Sequence, residues 1–245
     1  MRRTWREYTA TIPGHPIRMA ATLSIIVPVY NEGKTVADIM DALRRTWSDA
    51  QVIYVDDGSK DDSLAVLRAH ATPKDVVLTK PNGGKGSAIR MGLEKATGDY
   101  TVIQDADLEY DPSDIRLLLD EAVSHPGTIV FGSRFLRPNP NIYKRFLLGN
   151  KAMTLALNTL FFSRVTDSYT CYKLLPTDFF RSLDLTARGF ELEAEISAKT
   201  LRKGRRIVEV PVSYKPRTIE EGKKIRFSDA WKGVRTMMRI RFLGY

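Results

Sequence analysis

The order of apolar and polar positions divides the first half of the chain into alternating strands and helices. Residues 23–30 form a mostly apolar run that ends at the turn-forming Asn31-Glu32-Gly33, which predicts a buried strand. Apolar residues then recur at helical spacing over 36–47. This rhythm is typical of an α/β fold, a mostly parallel sheet with helices on both faces. The same alternation predicts strands at 51–55, 76–78, 100–104 and 128–131, and helices at 62–71, 85–96 and 112–123.

The second half of the chain is predicted to be mainly helical. Helices are expected over 142–162, 190–203 and 227–242, with one strand over 206–212. The first and last of these helices are amphipathic, and they either lie in a membrane interface or pack in the core or in a dimer. We expect the membrane interface, with basic residues at the headgroups. In the last helix the apolar stripe is Phe227, Trp231, Val234 and Met238, and the basic residues off it are Lys232, Arg235 and Arg239.

Three parts are expected along the chain. Residues 1–20 are a loose basic arm, residues 21–215 are the α/β domain, and residues 216–245 are a basic loop with an amphipathic C-terminal helix. No apolar stretch approaches the ~18 residues needed to span a membrane, and the arm lacks the apolar core of a secretory signal. The single cysteine, Cys171, excludes an internal disulfide framework. We therefore expect a cytoplasmic protein that is peripheral on the cytoplasmic membrane face.

The positive charge lies at one end of the chain. The formal net charge is +9, and the segment from Arg202 onward has thirteen Lys or Arg against four acidic residues, which accounts for the whole excess. Such a segment can attract phosphates, nucleic acid or an anionic membrane surface, and a merely solvated basic face is the other interpretation. Because no nucleic-acid-binding motif accompanies the charge, we expect no nucleic-acid partner.

Two carboxylates, Asp105 and Asp107, directly follow the predicted strand 100–104. In an extended segment residues i and i+2 point to the same side, so both would face one point and repel each other unless a cation lies between them. Mg²⁺ and Mn²⁺ bind oxygen ligands and share their coordination with substrate phosphates, so they are the metals expected. Glu109 continues the same parity and is a candidate third ligand. A solvated acidic turn is the alternative.

Two further loops at predicted strand ends are candidates for nucleotide binding. Asp56 and Asp57 can accept hydrogen bonds from a nucleobase N–H or a ribose hydroxyl, or can cap the next helix. The glycine-rich segment 82–86, with Gly84 and Lys85 before a helix, can cradle a phosphate or form a flexible turn. It is neither a Walker A loop nor Gly-x-Gly-x-x-Gly.

Two arginines near strand ends are candidates for phosphate contacts. Arg134 follows Gly132-Ser133, and Arg217 precedes the basic residues of segment 223–226. Guanidinium groups bind phosphate oxygens in a bidentate manner and can stabilise a departing diphosphate. Taken singly, each is also explained as a surface charge.

Four of these motifs stand in one order at four predicted strand ends. They are Ile-Val-Pro-Val-Tyr-Asn-Glu at 26–32, Val-Asp-Asp-Gly-Ser at 55–59, Asn-Gly-Gly-Lys-Gly at 82–86 and Gln-Asp-Ala-Asp-Leu-Glu at 104–109. In this order they resemble the family 2 glycosyltransferases, which have the GT-A fold, and the resemblance covers residues 23–242. Further segments resemble the branch of polyprenyl-phosphate sugar synthases, such as dolichol-phosphate mannose synthase. These segments are 132–134, 170–173, 190–193 and 209–212, followed by Arg217 and 222–224.

The resemblance implies an inverting hexosyltransferase whose catalytic domain is residues 21–215. Its donor would be a nucleotide sugar of the GDP-mannose or UDP-glucose type, its acceptor a polyprenyl phosphate, and its cofactor Mg²⁺ or Mn²⁺. The catalytic residues would be Asp107, Arg134 and Arg217. The site residues implied are Pro28, Tyr30, Glu32 and Asp57 for the nucleotide, Asp105, Asp107 and Glu109 for the metal, Arg134 and Arg217 for the phosphates, and Arg145 for the lipid phosphate.

The acceptor stays open on sequence grounds. A lipid phosphate is already ionised near neutral pH and needs no strong general base, which agrees with the position of all three histidines outside the motifs. A sugar hydroxyl in a polysaccharide or glycolipid would need a carboxylate base, for which Glu191 and Glu193 are candidates; a solvated helix face is the other interpretation of these two residues. A nucleotidyltransferase is a further alternative, but it is expected to have a glycine-rich loop directly after the first strand, where this chain has Tyr30-Asn31-Glu32.

Overall fold

The structure of the chain is a computed structural model that describes residues 21–139, 144–217 and 227–244, with side chains described except at 144–146 and 227–229. The predicted arm, 1–20, and most of the predicted basic loop, 218–226, lie outside the described residues. Within them the mostly parallel α/β architecture is confirmed.

A single mixed sheet forms the centre of the described chain. Its strands are β1 (Leu23–Val29), β2 (Gln51–Asp56), β3 (Val76–Thr79), β4 (Tyr100–Ile103), β5 (Ile129–Ser133), β6 (Lys173–Pro176) and β7 (Ile207–Pro211). They pair in the order β3-β2-β1-β4-β6-β5-β7. Strand β6 runs antiparallel to its neighbours β4 and β5, and the other pairings are parallel. Strands β1, β2, β4 and β5 are almost wholly buried, as expected for a sheet covered on both faces.

Helices connect the strands and bury one apolar face each. In α1 the predicted stripe is buried, and Trp47 just beyond its end donates its indole N–H to the carbonyl of Pro112 at 2.8 Å. Helix α4 is preceded by a 3₁₀ turn at Pro112–Asp114. The helices of the described chain are α1 (Val36–Thr46), α2 (Ser63–His70), α3 (Lys85–Lys95), α4 (Ile115–Ser124), α5 (Lys144–Phe161), α6 (Thr177–Ser182), α7 (Leu192–Arg202) and α8 (Phe227–Leu243).

The strand β6 and the short helix α6 were not predicted from the sequence. Strand β6 has four residues and no polar alternation, because both of its faces are buried; even Lys173 is fully buried. So short a run has no period that distinguishes a strand from other buried segments. Its insertion between β4 and β5 introduces the antiparallel pairings of the sheet.

Helix α8 packs against α5 and α7 in a second, smaller apolar cluster. The buried side of α8 is formed by Gly233, Met237 and Ile240. The predicted stripe of this helix lies elsewhere, since its members Trp231 and Met238 are exposed. No described helix is both long and apolar enough to cross a bilayer. The buried members of the cluster are Met153, Leu157, Val165, Ala194, Ala198, Met237 and Ile240.

Candidate active site

The loops with the predicted motifs meet at one edge of the sheet. Strand β1 lies between β2 and β4 and is parallel to both. The chain runs from β1 outward through β2 to β3 and then crosses back to β4 on the other side of β1, so the strand order reverses there. Such a switch point opens a crevice outside the carboxyl ends of the strands, where ligands bind in open α/β sheets. Glu32 follows β1, Asp57 follows β2 and Asp105 follows β4 at this edge. Pro28 and Tyr30 are partly exposed beside them.

The segment after β4 is a turn, so the predicted extended geometry of 105–109 is wrong. The backbone N–H of Glu109 donates to the Asp107 carboxylate at 3.1 Å, and Leu108 has a left-handed φ of 61°. This conformation is uncommon for a residue with a side chain and marks a constrained turn. The Glu109 carboxylate has partners of its own in this turn, since it accepts from the Tyr214 hydroxyl and the Arg217 backbone N–H, both at 2.7 Å.

The carboxyl group of Asp107 lies in an environment that opposes its charge. Burial and then the negative charges of Asp105 and Glu109 raise the pKa of Asp107 to about 7. A divalent cation would relieve this repulsion, and the donors are all oxygen, which suits Mg²⁺ or Mn²⁺. Among the described residues no three His, Cys, Asp or Glu side chains gather in a metal-binding geometry. Asp105 and Asp107 remain candidate ligands, because Mg²⁺ accepts one or two carboxylates with substrate and water at its other positions.

Lys85 lies against Asp105 rather than in an open phosphate loop. Its ammonium group is 2.8 Å from Asp105 Oδ1 and 3.1 Å from Glu193 Oε1. Glu193, a candidate base, is buried between Lys85 and Lys173 and is therefore no solvated helix residue. The other candidate base, Glu191, accepts the backbone N–H groups of residues 188 and 189. The arrangement gives both glutamates structural partners.

Asp57 holds the glycine-rich loop from inside. Its buried carboxylate accepts from the backbone N–H of Gly83 at 2.9 Å and of Gly84 at 2.7 Å, and from Lys80 Nζ at 2.6 Å. These N–H groups point at Asp57, so the geometry does not support the predicted phosphate cradle. Gly84 has φ 89°, and a Cβ there would lie 2.3 Å from the carbonyl oxygen of Arg188. The glycine is needed for this close approach of two loops.

Asp56 also has a structural place. It is 1% exposed, and its carboxylate accepts from the backbone N–H of Ser59 and, at 3.2 Å, from the hydroxyl of Thr79. Its predicted contact with a nucleotide is not supported by this geometry. The Asp at the end of a buried strand here closes the turn that follows and ties it to β3.

Arg217 crosses the crevice at the switch point. Its guanidinium donates to Glu32 Oε2 at 2.7 Å and to the backbone carbonyl of Asp107 at 2.9 Å. It therefore connects the loop after β1 with the turn after β4. The backbone N–H of Lys215 donates to the carbonyl of Glu109 at 2.8 Å, which aligns the segment after β7 along this turn. This contact across more than a hundred residues was not visible in the sequence.

Arg134 does not face the crevice as predicted. It is 7% exposed and forms a bidentate ion pair with the fully buried Asp167, at 2.7 Å and 2.8 Å. The backbone N–H of Arg134 donates to the same carboxylate. Two N–H groups of this guanidinium already donate to a buried carboxylate, so few donors remain for a ligand phosphate. The predicted phosphate contact of Arg134 is therefore corrected to a structural ion pair.

Cys171 is 3% exposed, and burial raises the pKa of its thiol, so it is a packing residue. The side chain of Arg145 lies outside the described part of the structure.

Helices α5 and α8 expose a second kind of surface. Along α8, Trp231, Met238 and Phe242 repeat at spacings of seven and four on the side opposite the buried face. Leu148 and Leu155 of α5 and Phe162 just beyond it repeat at spacings of seven. The Arg241 guanidinium lies 5.8 Å from the centre of the Phe162 ring, which places the ends of the two rows together. We call these six side chains the apolar ridge.

The family model described as glycosyl transferase family 2 matches residues 24–182 of the chain. A low-salt glycan biosynthesis hexosyltransferase, Agl6 of Haloferax volcanii, is 28% identical over 229 residues, 90% of this chain and 54% of that protein. The chain thus spans about half the length of this relative. An undecaprenyl-phosphate mannosyltransferase of Micrococcus luteus is 31% identical over 223 residues, 81% of this chain and 85% of that protein.

Solved structures share the fold. Glucosyl-3-phosphoglycerate synthase from Mycobacterium tuberculosis, crystallised with Mn²⁺, uridine diphosphate and glucosyl-3-phosphoglycerate, superposes with a TM-score of 0.66 at 19% identity. The superposition covers 90% of this chain and 80% of that one. The predicted GT-A fold is thereby confirmed.

Proposed function

The chain belongs to glycosyl transferase family 2, and from this premise we propose that it is a metal-dependent hexosyltransferase that transfers a sugar from a nucleoside diphosphate to a polyprenyl phosphate, with inversion. The observation that carries the proposal is the pair Asp105 and Asp107 at the switch point, where the charge of Asp107 is opposed by its neighbours. A nucleotide bound in this crevice would bring its diphosphate to that pair.

Asp105 and Asp107 would hold Mg²⁺ or Mn²⁺. Magnesium is commonly bound by one or two carboxylates, with water and substrate phosphates at the other positions. Because the Glu109 carboxylate accepts from Tyr214 and Arg217, we place it beside the metal pair, where it positions Arg217. Bound metal would neutralise the diphosphate as it leaves the anomeric carbon.

The donor would lie along the end of β1. Pro28, Tyr30 and Glu32 are partly exposed there and would contact the nucleoside. Asp57 would act on the same pocket by holding the 83–84 loop in place. The Arg217 guanidinium, between Glu32 and the Asp107 carbonyl, is in position to exchange these oxygens for those of a diphosphate.

A polyprenyl phosphate acceptor is supported by two observations. Both candidate carboxylate bases, Glu191 and Glu193, have structural partners, so an acceptor that is already ionised suits the site. The apolar ridge, with exposed Lys151, Arg235 and Arg239 near it, suits peripheral contact with an anionic bilayer. The Micrococcus luteus relative, an undecaprenyl-phosphate mannosyltransferase, agrees with this acceptor class.

Transfer from a panel of sugar nucleotides tests the proposal. GDP-mannose and UDP-glucose are incubated with Mn²⁺, Mg²⁺ or EDTA, with and without a short polyprenyl phosphate, and glycolipid is measured by mass spectrometry. We expect metal-dependent transfer with one donor. Asp107→Asn should lower the rate by about a thousandfold or more, as loss of a central electrostatic group does. The exposed Asp120→Asn on α4 is the matched control and should keep full activity.

The outcomes separate the parts of the proposal. Donor binding and hydrolysis without transfer to the lipid would assign the acceptor to a sugar hydroxyl. Transfer that persists in EDTA would show that the reaction needs no divalent metal. Failure to bind any sugar nucleotide would overturn the function.

A further inference from the structure

A row of alternating charges leads from the crevice into the core. Asp105 pairs with Lys85, Lys85 pairs with Glu193, and Glu193 pairs with the ammonium group of Lys173. Exposure of these side chains falls along the row, from 23% at Asp105 to 14% at Lys85, 5% at Glu193 and 0% at Lys173. Asp105 lies just after β4, and the other three residues belong to α3, α7 and β6, so tertiary structure alone brings the four together.

The inner half of the row is held firmly. The ammonium group of Lys173 also donates to the backbone carbonyl of Thr170 and lies 5.0 Å from the centre of the Phe131 ring. Glu193 is in the first turn of α7, where the helix dipole favours a negative charge. A buried carboxylate between two ammonium groups is fully compensated. Glu193 therefore provides a fixed anchor for one side of Lys85.

Lys85 itself lies between this anchor and the candidate metal ligand. Its Nζ is 2.8 Å from Asp105 Oδ1 and 3.1 Å from Asp105 Oδ2, so the ammonium covers both carboxylate oxygens. The same ammonium group lies 3.1 Å from Glu193 Oε1, so it has carboxylate partners on two sides. A divalent ion that binds Asp105 must therefore compete with the Lys85 ammonium group for the same carboxylate oxygens.

We infer that Lys85 is a built-in counter-cation of Asp105, which a divalent metal displaces toward Glu193 when the metal binds Asp105. Lys85 is then a positioning residue that sets metal affinity, and it is no direct phosphate ligand. Glu193 and Lys173 keep the displaced ammonium compensated, so that metal entry leaves no unpaired buried charge. The inference rests on the proposed function only in taking Asp105 as a metal ligand.

Mn²⁺ affinity without nucleotide is the direct test, measured by electron paramagnetic resonance of free Mn²⁺ and by calorimetry. Lys85→Met removes the competing cation and should bind Mn²⁺ about tenfold more tightly than wild type. Its Glu193 remains paired with Lys173, so the variant is expected to fold. The matched control is Lys199→Met, which removes a lysine from the Lys199–Glu195 pair on the same helix as Glu193 and should leave Mn²⁺ affinity unchanged.

A second variant moves affinity in the opposite direction. Glu193→Gln with Lys173→Met removes the anchor, keeps the net charge of the row and leaves Lys85 with Asp105 alone. It should bind Mn²⁺ about threefold to tenfold more weakly. Thermal unfolding of each variant, measured in parallel, separates this change from a loss of fold.

Three outcomes would separate the role of Lys85 from other roles and from the proposed function. Unchanged Mn²⁺ affinity in Lys85→Met would overturn the inference, whether or not wild type binds the ion measurably. Unchanged Mn²⁺ affinity with weakened uridine or guanosine diphosphate binding would instead make Lys85 a phosphate ligand. If Mn²⁺ affinity shifts as expected but no sugar is transferred, the inference stands and the proposed function fails.

Discussion

At the carboxyl edge of the sheet, charged groups lie buried and compensate one another, whereas on α5 and α8 large apolar side chains are exposed. Asp57 and Glu193 are below 5% exposed, while Trp231 is 71% and Phe162 is 85% exposed. Both arrangements cost free energy in an isolated soluble chain, since buried charge must be desolvated and exposed apolar surface orders water. At each surface, a bound partner would lower this free-energy cost.

The two regions differ in how they keep this cost tolerable. The crevice is stabilised by internal ion pairs and by backbone N–H groups on carboxylates. The apolar ridge has no such compensation in the described residues, and its members stay exposed on the outward face of two packed helices. We therefore expect substitutions at the crevice to change stability and chemistry together, and substitutions on the ridge to change only association with a surface.

The largest stability effect is expected at the Arg134–Asp167 pair. Asp167→Asn leaves a buried guanidinium without its counter-charge and should lower the free energy of unfolding by about 3 kcal/mol or more. Urea denaturation followed by circular dichroism measures this. The double variant Arg134→Met/Asp167→Leu should recover most of the loss, because no unpaired charge remains. A single variant as stable as wild type would contradict the buried-pair description.

The proposed membrane association should depend on the apolar burial of the ridge in addition to the basic residues near it. Trp231→Gln/Phe242→Gln should weaken partition into anionic liposomes about a hundredfold, about 3 kcal/mol, through loss of apolar burial. The control Leu117→Gln, on the exposed side of α4, should have no effect. Cosedimentation measures both. Equal partition of the double variant and wild type would leave the ridge as a surface for protein contact, which the elution volume in size-exclusion chromatography would reveal.

Gly84 tests whether the glycine-rich loop is a packing feature. Gly84→Ala meets both a left-handed φ of 89° and the Arg188 carbonyl, so it should destabilise the fold by about 2 kcal/mol. Gly149→Ala, in α5 where a Cβ meets nothing within 4 Å, should stabilise it by up to about 1 kcal/mol. Thermal unfolding of the two variants is the measurement. A loss of stability in Gly84→Ala alone shows backbone strain and close contact at Gly84, whereas equal effects would show only that alanine is less flexible than glycine.

The predictable parts of the fold are those with local causes. Strands β1 to β5 and helices α1 to α4 agree with the sequence within two residues at most ends, because each buries a face with its own period. The end of β4 at Ile103, one residue before the predicted end, followed from the apolar run that forms the strand. Strand β6 was not predicted, because both of its faces are buried and its four residues therefore show no alternation of apolar and polar positions.

The candidate site was predictable in its location and not in its pairings. Parallel strand order brings Glu32, Asp57 and Asp105 to one edge, as the motifs indicated. Which charge meets which is set by tertiary distance: Asp167 is 33 residues from Arg134, and Glu193 is 108 from Lys85. No spacing rule spans such separations, so Arg134 and Lys85 looked available for phosphate when considered alone.

The smallest expected effect is the pH dependence of folding stability that Asp107 causes. In the metal-free folded chain its pKa is about 7, against 3.8 as the ordinary value, so the folded state binds this proton more tightly than the unfolded state. Stability therefore falls as pH rises from about 4 to about 7, and the whole penalty is present above 7.

Asp107→Asn removes the penalty and should raise the free energy of unfolding at pH 8 by about 1–2 kcal/mol, a value reduced by partial exposure of the carboxyl. At pH 4 the variant and wild type should be equal. Urea titrations in EDTA at both pH values measure the difference. A variant less stable than wild type at pH 8 would mean that Asp107 is already compensated, and the crevice would then need no cation.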